Sequence, residues 1–251
     1  MSNLGPLLDT LPNWFSVTKR FVHSVEGDCL VVDDSSVADA SYALTVEEIA
    51  DKVYAREAMP GTRLPAMCFD RHIMDMGHFC LGLGYGSIVK DVDTARHWWE
   101  SLEEFLRLQG VASSSGRWPR HIELDHGMAG IYHRRAIDAA AKLDCSDDYE
   151  LALLGRPSWI GDSANLLTAD GKRLVNVRSP CPRGCLRNRR PVLRADCCDP
   201  DAVAALIANE RMRQIALAEF WASIKNDRNA VCCGTMTSCP LRTTEEKSCA
   251  K

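Results

Sequence analysis

Cys80 sits in the stretch Arg71-His72-Ile73-Met74-Asp75-Met76-Gly77-His78-Phe79-Cys80-Leu81, directly after the short apolar run Leu64-Pro65-Ala66-Met67-Cys68-Phe69. One thiol behind a glycine, with His72 and His78 close in sequence, suits a nucleophilic loop. A thiolate is a good acyl acceptor, and thioester exchange needs no strong base because the incoming acyl group is already activated. The chemistry requires a cysteine in a fixed loop, and Gly77 and Gly82 free the backbone angles there. His72 or His78 would tune the thiol or polarise the carbonyl. The plain alternative is that Cys80 is a small buried hydrophobe, as free cysteines commonly are, and that the histidines only pack. Cys68, between Met67 and Phe69, reads as a core residue.

A second set of thiols crowds the last third of the chain, which holds Cys181, Cys185, Cys197, Cys198, Cys232, Cys233, Cys239 and Cys249. Clustered cysteines in a reducing compartment are metal ligands or reactive thiols before they are disulfides. Ser179-Pro180-Cys181-Pro182-Arg183-Gly184-Cys185, followed by Asp196-Cys197-Cys198, offers four thiolates for a structural zinc ion. Adjacent cysteines rarely both ligate one metal, so Cys232, Cys233 or Cys239 can replace one of them. The alternative is separate thiols without metal. Arg183, Arg187, Arg189 and Arg190 form a solvated basic face or a dock for an acidic partner. Asp125-His126, with His121 and His133, offers acid–base or metal chemistry, or a helix start with a packed ring.

The elements that must position these groups read as follows. Short apolar runs over 14–46 predict two to four antiparallel strands. Val46 to Ala58 is expected as a short helix capped by Thr45, ended by Pro60-Gly61. Leu64 to Phe69 is the next strand. Helices are expected over 93–109, with Asp91 or Asp93 as cap, over 126–143, over 147–154, and over 199–224 with Asp199 as cap and Pro200 in its first turn. Ser113 to Gly116 reads as a loop, and Gly171 as a turn between strands 165–168 and 174–177. The fold class is therefore α+β: a small antiparallel sheet with flanking helices, plus a C-terminal helical cysteine-rich module.

At 251 residues and 46% hydrophobic content, the chain can bury a real core. A net charge of −4 argues against a nucleic-acid binder. Met1 to Leu11 lacks a basic start, and no apolar run approaches a membrane span. A cytoplasmic protein with neither nucleic-acid nor membrane partners is expected.

The Cys80 stretch resembles the active-site stretch of ubiquitin-conjugating enzymes, in which a strand leads to His-Pro-Asn, then a glycine, and a nucleophilic Cys-Leu. His72, Gly77, Cys80 and Leu81 occupy the matching positions, while Ile73-Met74 replaces Pro-Asn and the spacing from histidine to cysteine is shorter. Trp98-Trp99-Glu100-Ser101-Leu102-Glu103-Glu104-Phe105-Leu106, Arg117-Trp118-Pro119 and Leu124-Asp125-His126-Gly127 are similar to a divergent, cysteine-rich bacterial group related to these enzymes. The resemblance covers roughly residues 40–200. It implies a conjugating-enzyme-like domain over 1–155 and a cysteine-rich module over 156–251. It also implies a ubiquitin-like modifier and an activating enzyme as partners, with the modifier carried as a thioester on Cys80. Loss of the motif asparagine keeps a second expectation open, a non-catalytic scaffold in the same pathway. A remote third is a nucleotide cyclase of the adenylate-cyclase type, suggested by Trp159 to Leu166 with Asp33 as metal ligand.

Overall fold

The computed structural model describes residues 4–31, 40–82, 86–119, 125–237 and 239–242. Asp33, His121 and Cys249 lie outside them. The chain forms two compact units, one made of residues 1–119 together with 224–251, the other of residues 120–223. The architecture is α+β, with a four-stranded antiparallel sheet and several helices.

In the first unit, helix α1 (Leu4–Asp9) precedes a meander of β1 (Phe15–Arg20), β2 (Ser24–Val31), β3 (Ala40–Ile49) and β4 (Lys52–Glu57), paired in that order. Alternation dictates the strands: β4 buries Val53, Ala55 and Glu57 and turns Lys52, Tyr54 and Arg56 outward. The helix expected over 46–58 is not formed. Glu47 pairs with Tyr54 and Ile49 with Lys52 across a tight hairpin whose turn residues, Ala50 and Asp51, both have positive φ, 48° and 61°. Two left-handed residues give the turn whose twist matches the strands, and the β-branched Val46, Ile49 and Val53 suit a pleated surface better than a helix.

Leu64 to Phe69 is likewise not a strand. Cys68 makes only an isolated bridge to Ile73, and Phe69–Arg71 and Asp75–Gly77 form short 3₁₀ turns. Helix α2 (Val92–Ser115) follows. Asp91 caps it by accepting from the Thr94 N–H, while Thr94 Oγ1 accepts from the Asp91 N–H. It runs through the serines expected as a loop, because Leu108, Gln109 and Ala112 continue its buried face, and Gly116 ends it in a left-handed conformation. The core joins the sheet to this face. Trp99 packs edge-on to Trp14 and Trp98 and donates its indole N–H to the Leu7 carbonyl, while Phe105 stacks on Phe79. Met236 and Cys239 are buried in the same core.

In the second unit, α3 (Gly127–Lys142) and α4 (Ser146–Leu153) fall where the periodicity places them. The alanines of α3, with Ile137 packed beside them, face inward, against Val203, Leu206 and Ile207 of α5 (Pro200–Asn226). Asp199 accepts from the Ala202 N–H at the start of α5. The expected pair of strands around Gly171 reduces to one bridge, Leu167 to Leu174. An unforeseen hairpin, β5 (Leu186–Arg187) with β6 (Arg190–Pro191), turns through Asn188 and Arg189, both at positive φ. Among the described residues, no helix is long and apolar enough to cross a membrane.

Ala50 carries a Cβ in a left-handed conformation, which costs roughly 1–2 kcal/mol. Ala50→Gly is therefore expected to raise stability by about 1 kcal/mol, read as a higher urea midpoint with an unchanged slope. A lower midpoint would contradict the hairpin turn.

Candidate functional site

The loop that carries Cys80 is held by backbone bonds. The Cys80 N–H donates to the His72 carbonyl (2.8 Å), the Phe79 N–H to the Ala55 carbonyl of β4 (2.8 Å), and the Met74 N–H to the His78 carbonyl (2.7 Å). Cys68 and Ile73 exchange both of their backbone bonds. His72 and Met76 are left-handed at φ 56° and 59°, so the segment doubles back on itself and cannot extend as a strand. Gly77, at φ 78°, is required twice: its angle suits glycine, and an added Cβ would lie 2.9 Å from Pro60 Cβ. Cys80 is 7% exposed, with its Sγ 3.6 Å from the Gly82 carbonyl oxygen.

Both candidate histidines are buried beside Cys80 in sequence and have defined neighbours. The His72 ring lies over Trp118, with centroids 5.1 Å apart. The Nε2 of His78 is 2.8 Å from Glu47 Oε1 on β3, and its ring packs 4.9 Å from Tyr54. Burial would raise the Glu47 carboxyl, but hydrogen bonds from His78 and Arg56 outweigh it and hold it below the usual range. His78 thus ties the loop to the sheet.

The residue that sequence reading missed is Arg71, 2% exposed. Its guanidinium donates to the Gln109 Oε1 (2.8 Å) and main-chain carbonyl (3.0 Å) and to Ser113 Oγ (2.7 Å), while Gln109 Nε2 donates back to the Arg71 carbonyl (2.8 Å). This reciprocal clasp locks the loop to α2. The signal available was Gln109, a polar residue on the apolar face of a helix.

The thiols proposed as metal ligands partly come together. Cys181 is buried, and burial followed by its neighbours Cys185 and Cys197 pushes its thiol up to about 11, against a backbone N–H from Arg183. A cavity of about 190 Å³ is lined by Cys181 and Cys197 with Pro182, Arg194 and Val203. The hairpin β5–β6 closes the intervening loop, with Cys181 N–H donating to Val192 and Val192 N–H to Cys185. These sulfurs are soft donors of the kind zinc takes, but no three of the Cys181, Cys185, Cys197 and Cys198 thiols lie within 4.8 Å of one another. Cys198 is exposed.

Asp125 and His126 do packing work in the second unit. His126 starts α3 and its ring stacks on Phe220 at 4.5 Å. Asp125 Oδ2 lies 2.6 Å from Arg213 Nη1, and Arg213 forks onto Glu210, which accepts from Tyr149. The cyclase-like segment is a closed loop: Asn165 donates to the Trp159 carbonyl and accepts from Arg194.

Residues 14–120 match the family described as the prokaryotic E2 domain, and residues 125–241 match the cysteine-rich domain found C-terminal to that E2 domain. The chain matches none of the curated proteins and none of the solved structures.

Burial would raise the Asp125 carboxyl, but the bond from His133 and the Arg213 charge hold it well below the carboxylate range. Its stabilisation is complete above the unfolded value of about 3.9 and is lost as pH falls below that toward the depressed folded value. Asp125→Asn is expected to cost stability at neutral pH, near the lower end of about 3–5 kcal/mol because Glu210 still pairs with Arg213. It should also flatten the loss of stability on going from neutral pH through about 4 to about 2. Urea unfolding across that range checks both; an unchanged acid limb would remove Asp125 from the account.

Proposed function

Because the chain belongs to the family of prokaryotic E2 domains followed by a C-terminal cysteine-rich domain, we propose that it carries a ubiquitin-like modifier as a thioester on Cys80. An E2-like role in a conjugation pathway is what the family gives. The observation that carries the finer reading is the position of Cys80: after the four-stranded meander and before α2, it is tethered through its own N–H to His72.

The step is a transthioesterification. The Cys80 thiol loses its proton and attacks the carbonyl carbon of the modifier's C-terminal thioester on the activating enzyme. A new C–S bond forms, the old one breaks, and the activating enzyme's cysteine leaves as a thiolate that takes up a proton. The sulfur must first turn away from the Gly82 carbonyl. His72 and His78 act as positioning residues: the carbonyl of His72 holds the nucleophile's backbone, and the ring of His78 anchors the loop to Glu47.

A non-catalytic scaffold is the second reading, favoured by the burial of Cys80 and by Ile73-Met74 standing where the conjugating enzymes have Pro-Asn. Incubation with cognate modifier, activating enzyme and ATP distinguishes the two. Catalysis gives an adduct cleaved by thiols, abolished in Cys80→Ala and converted to a thiol-resistant ester in Cys80→Ser. Stoichiometric binding of the modifier with no adduct would establish the scaffold.

In the cysteine-rich domain we propose one structural zinc ion held by Cys181, Cys185 and Cys197, with Cys198 as the fourth thiol. When bound, the metal would supply ordering energy to a segment whose hairpin is exposed and short of apolar residues. Cys181→Ser with Cys185→Ser should lose about one zinc per chain and loosen residues 175–200 in hydrogen exchange. Metal content unchanged by that pair would overturn the assignment.

A further inference from the structure

Two thiols of the first unit meet across 165 residues of sequence: Cys68 Sγ and Cys233 Sγ are 2.7 Å apart. Cys68 lies within the E2 match and Cys233 within the cysteine-rich match, and both are free thiols. Neither takes part in the thioester chemistry of Cys80 or in the zinc site proposed above. Cys68 is 3% exposed and stands at the root of the Cys80 loop. Its main chain exchanges two bonds with Ile73 there and accepts a third from the Arg71 N–H (3.0 Å). Cys233 is half-buried, on the segment that returns to the unit after α5.

The pair has the form of a reactive thiol with its resolving partner. At 2.7 Å the sulfurs are closer than non-bonded heavy atoms normally rest. A further movement of about 0.6 Å would bring them to the bond length of a disulfide, about 2.05 Å. The more exposed member is the one with support for a thiolate. Thr235 Oγ1 lies 3.1 Å from Cys233 Sγ and accepts from Arg71 Nη1 (3.4 Å). The hydroxyl hydrogen is thus left to point at the sulfur, with a buried cation behind it. A cation and a hydroxyl donor near a thiol favour its ionised, nucleophilic form. Cys68, shut off from solvent, meets no reagent from outside but is in place to attack the sulfur of Cys233. The returning segment is otherwise held by non-covalent ties. Thr237 bonds to the Gly116 carbonyl through its N–H (2.8 Å) and its hydroxyl (2.9 Å), and Met236 and Cys239 are buried.

We propose that Cys68 and Cys233 are a reversible dithiol–disulfide pair, oxidised by hydrogen peroxide and restored by a dithiol reductant, which clamps the end of the cysteine-rich domain onto the E2 domain. The Cys233 thiolate attacks one oxygen of the peroxide and the O–O bond breaks. Cys233 becomes a sulfenic acid, and the other oxygen leaves as hydroxide, which takes up the thiol proton as water. The Cys68 sulfur then attacks the sulfenic sulfur. The S–S bond forms, the S–O bond breaks, and the Cys68 proton leaves with the hydroxyl as a second water. Two thiols lose two electrons and two protons between them, and one peroxide becomes two waters. A dithiol reverses the step by thiol–disulfide exchange, opening the S–S bond and becoming a disulfide itself. Because the bond spans 165 residues of sequence, opening of the returning segment is disfavoured once it has formed.

The test uses the full chain, first reduced and then treated with hydrogen peroxide. A non-reducing digest should give a peptide pair joined through Cys68 and Cys233, lighter by two hydrogen atoms and split by dithiothreitol. Amide exchange over residues 231–237 should slow at least about tenfold in the oxidised protein. Neither arm depends on a variant folding. In Cys68→Ala, Cys233 should stop at the sulfenic acid and be captured by a dimedone probe, which should label the unsubstituted chain at least about tenfold less. The half-buried Cys233→Ser should lose both the crosslink and that label. Peroxide that oxidises other cysteines while Cys68 and Cys233 stay free thiols would overturn the proposal. Crosslinks from either of them to Cys80, Cys232 or Cys239 instead would overturn it too, as would equal dimedone labelling with and without Cys68. None of these readouts involves thioester formation on Cys80 or zinc content, so this proposal stands or falls apart from both.

Discussion

The buried clasp between Arg71 and Gln109 is the constraint on which the E2 domain's geometry depends. A guanidinium withdrawn from water is tolerated only if its donors are met, and here Gln109, Ser113 and Thr235 meet them. Because the partners sit on α2 and on the returning segment, the residue immediately before His72 is fixed to two other elements at once. The turn cannot slide along the helix without stranding a charge. The backbone bond from Cys80 to the His72 carbonyl then passes that constraint on to the candidate nucleophile. Rigid placement of one sulfur thus begins with an arginine that never touches it.

The loop is pinned from the opposite side as well. His78 reaches Glu47 on β3, and Phe79 bonds to Ala55 on β4 and stacks on Phe105 of α2. Sheet and helix therefore hold the same few residues from two directions. The second unit adds to its own apolar core a buried string of Tyr149, Glu210, Arg213 and Asp125. Its α3 lines that core mostly with alanines, adding the buried ring of His133 and the side chain of Ile137.

Much of this was legible in the chain itself, wherever the controlling interactions are local. Asp91 and Asp199 announce their helices because a cap and its N–H are three residues apart. The Cys80 loop was recognisable because its motif is contiguous. The β3–β4 hairpin was not, since Glu47 and Glu48 after Thr45 imitate the first turn of a helix, and Ala50-Asp51 lacks the glycine that usually marks such a turn. Leu64 to Phe69 has the apolar character of a strand but finds no neighbouring strand to pair with, and ends as a bridge and a turn. Arg71 looks like surface charge, and the approach of Cys68 to Cys233 depends on a closure of 165 residues that no local pattern encodes.

The end of the cysteine-rich match, at residue 241, lies inside the compact unit built around the E2 domain, where Met236 and Cys239 fill its core. The two domains are consequently not beads on a string. A fragment stopped after Pro119 would lack part of its own interior, and a graft of the cysteine-rich portion onto another host would carry away two residues belonging to its former neighbour. In descent, such a pair can be inherited or lost together, but recombination at the junction would rarely yield two folded halves.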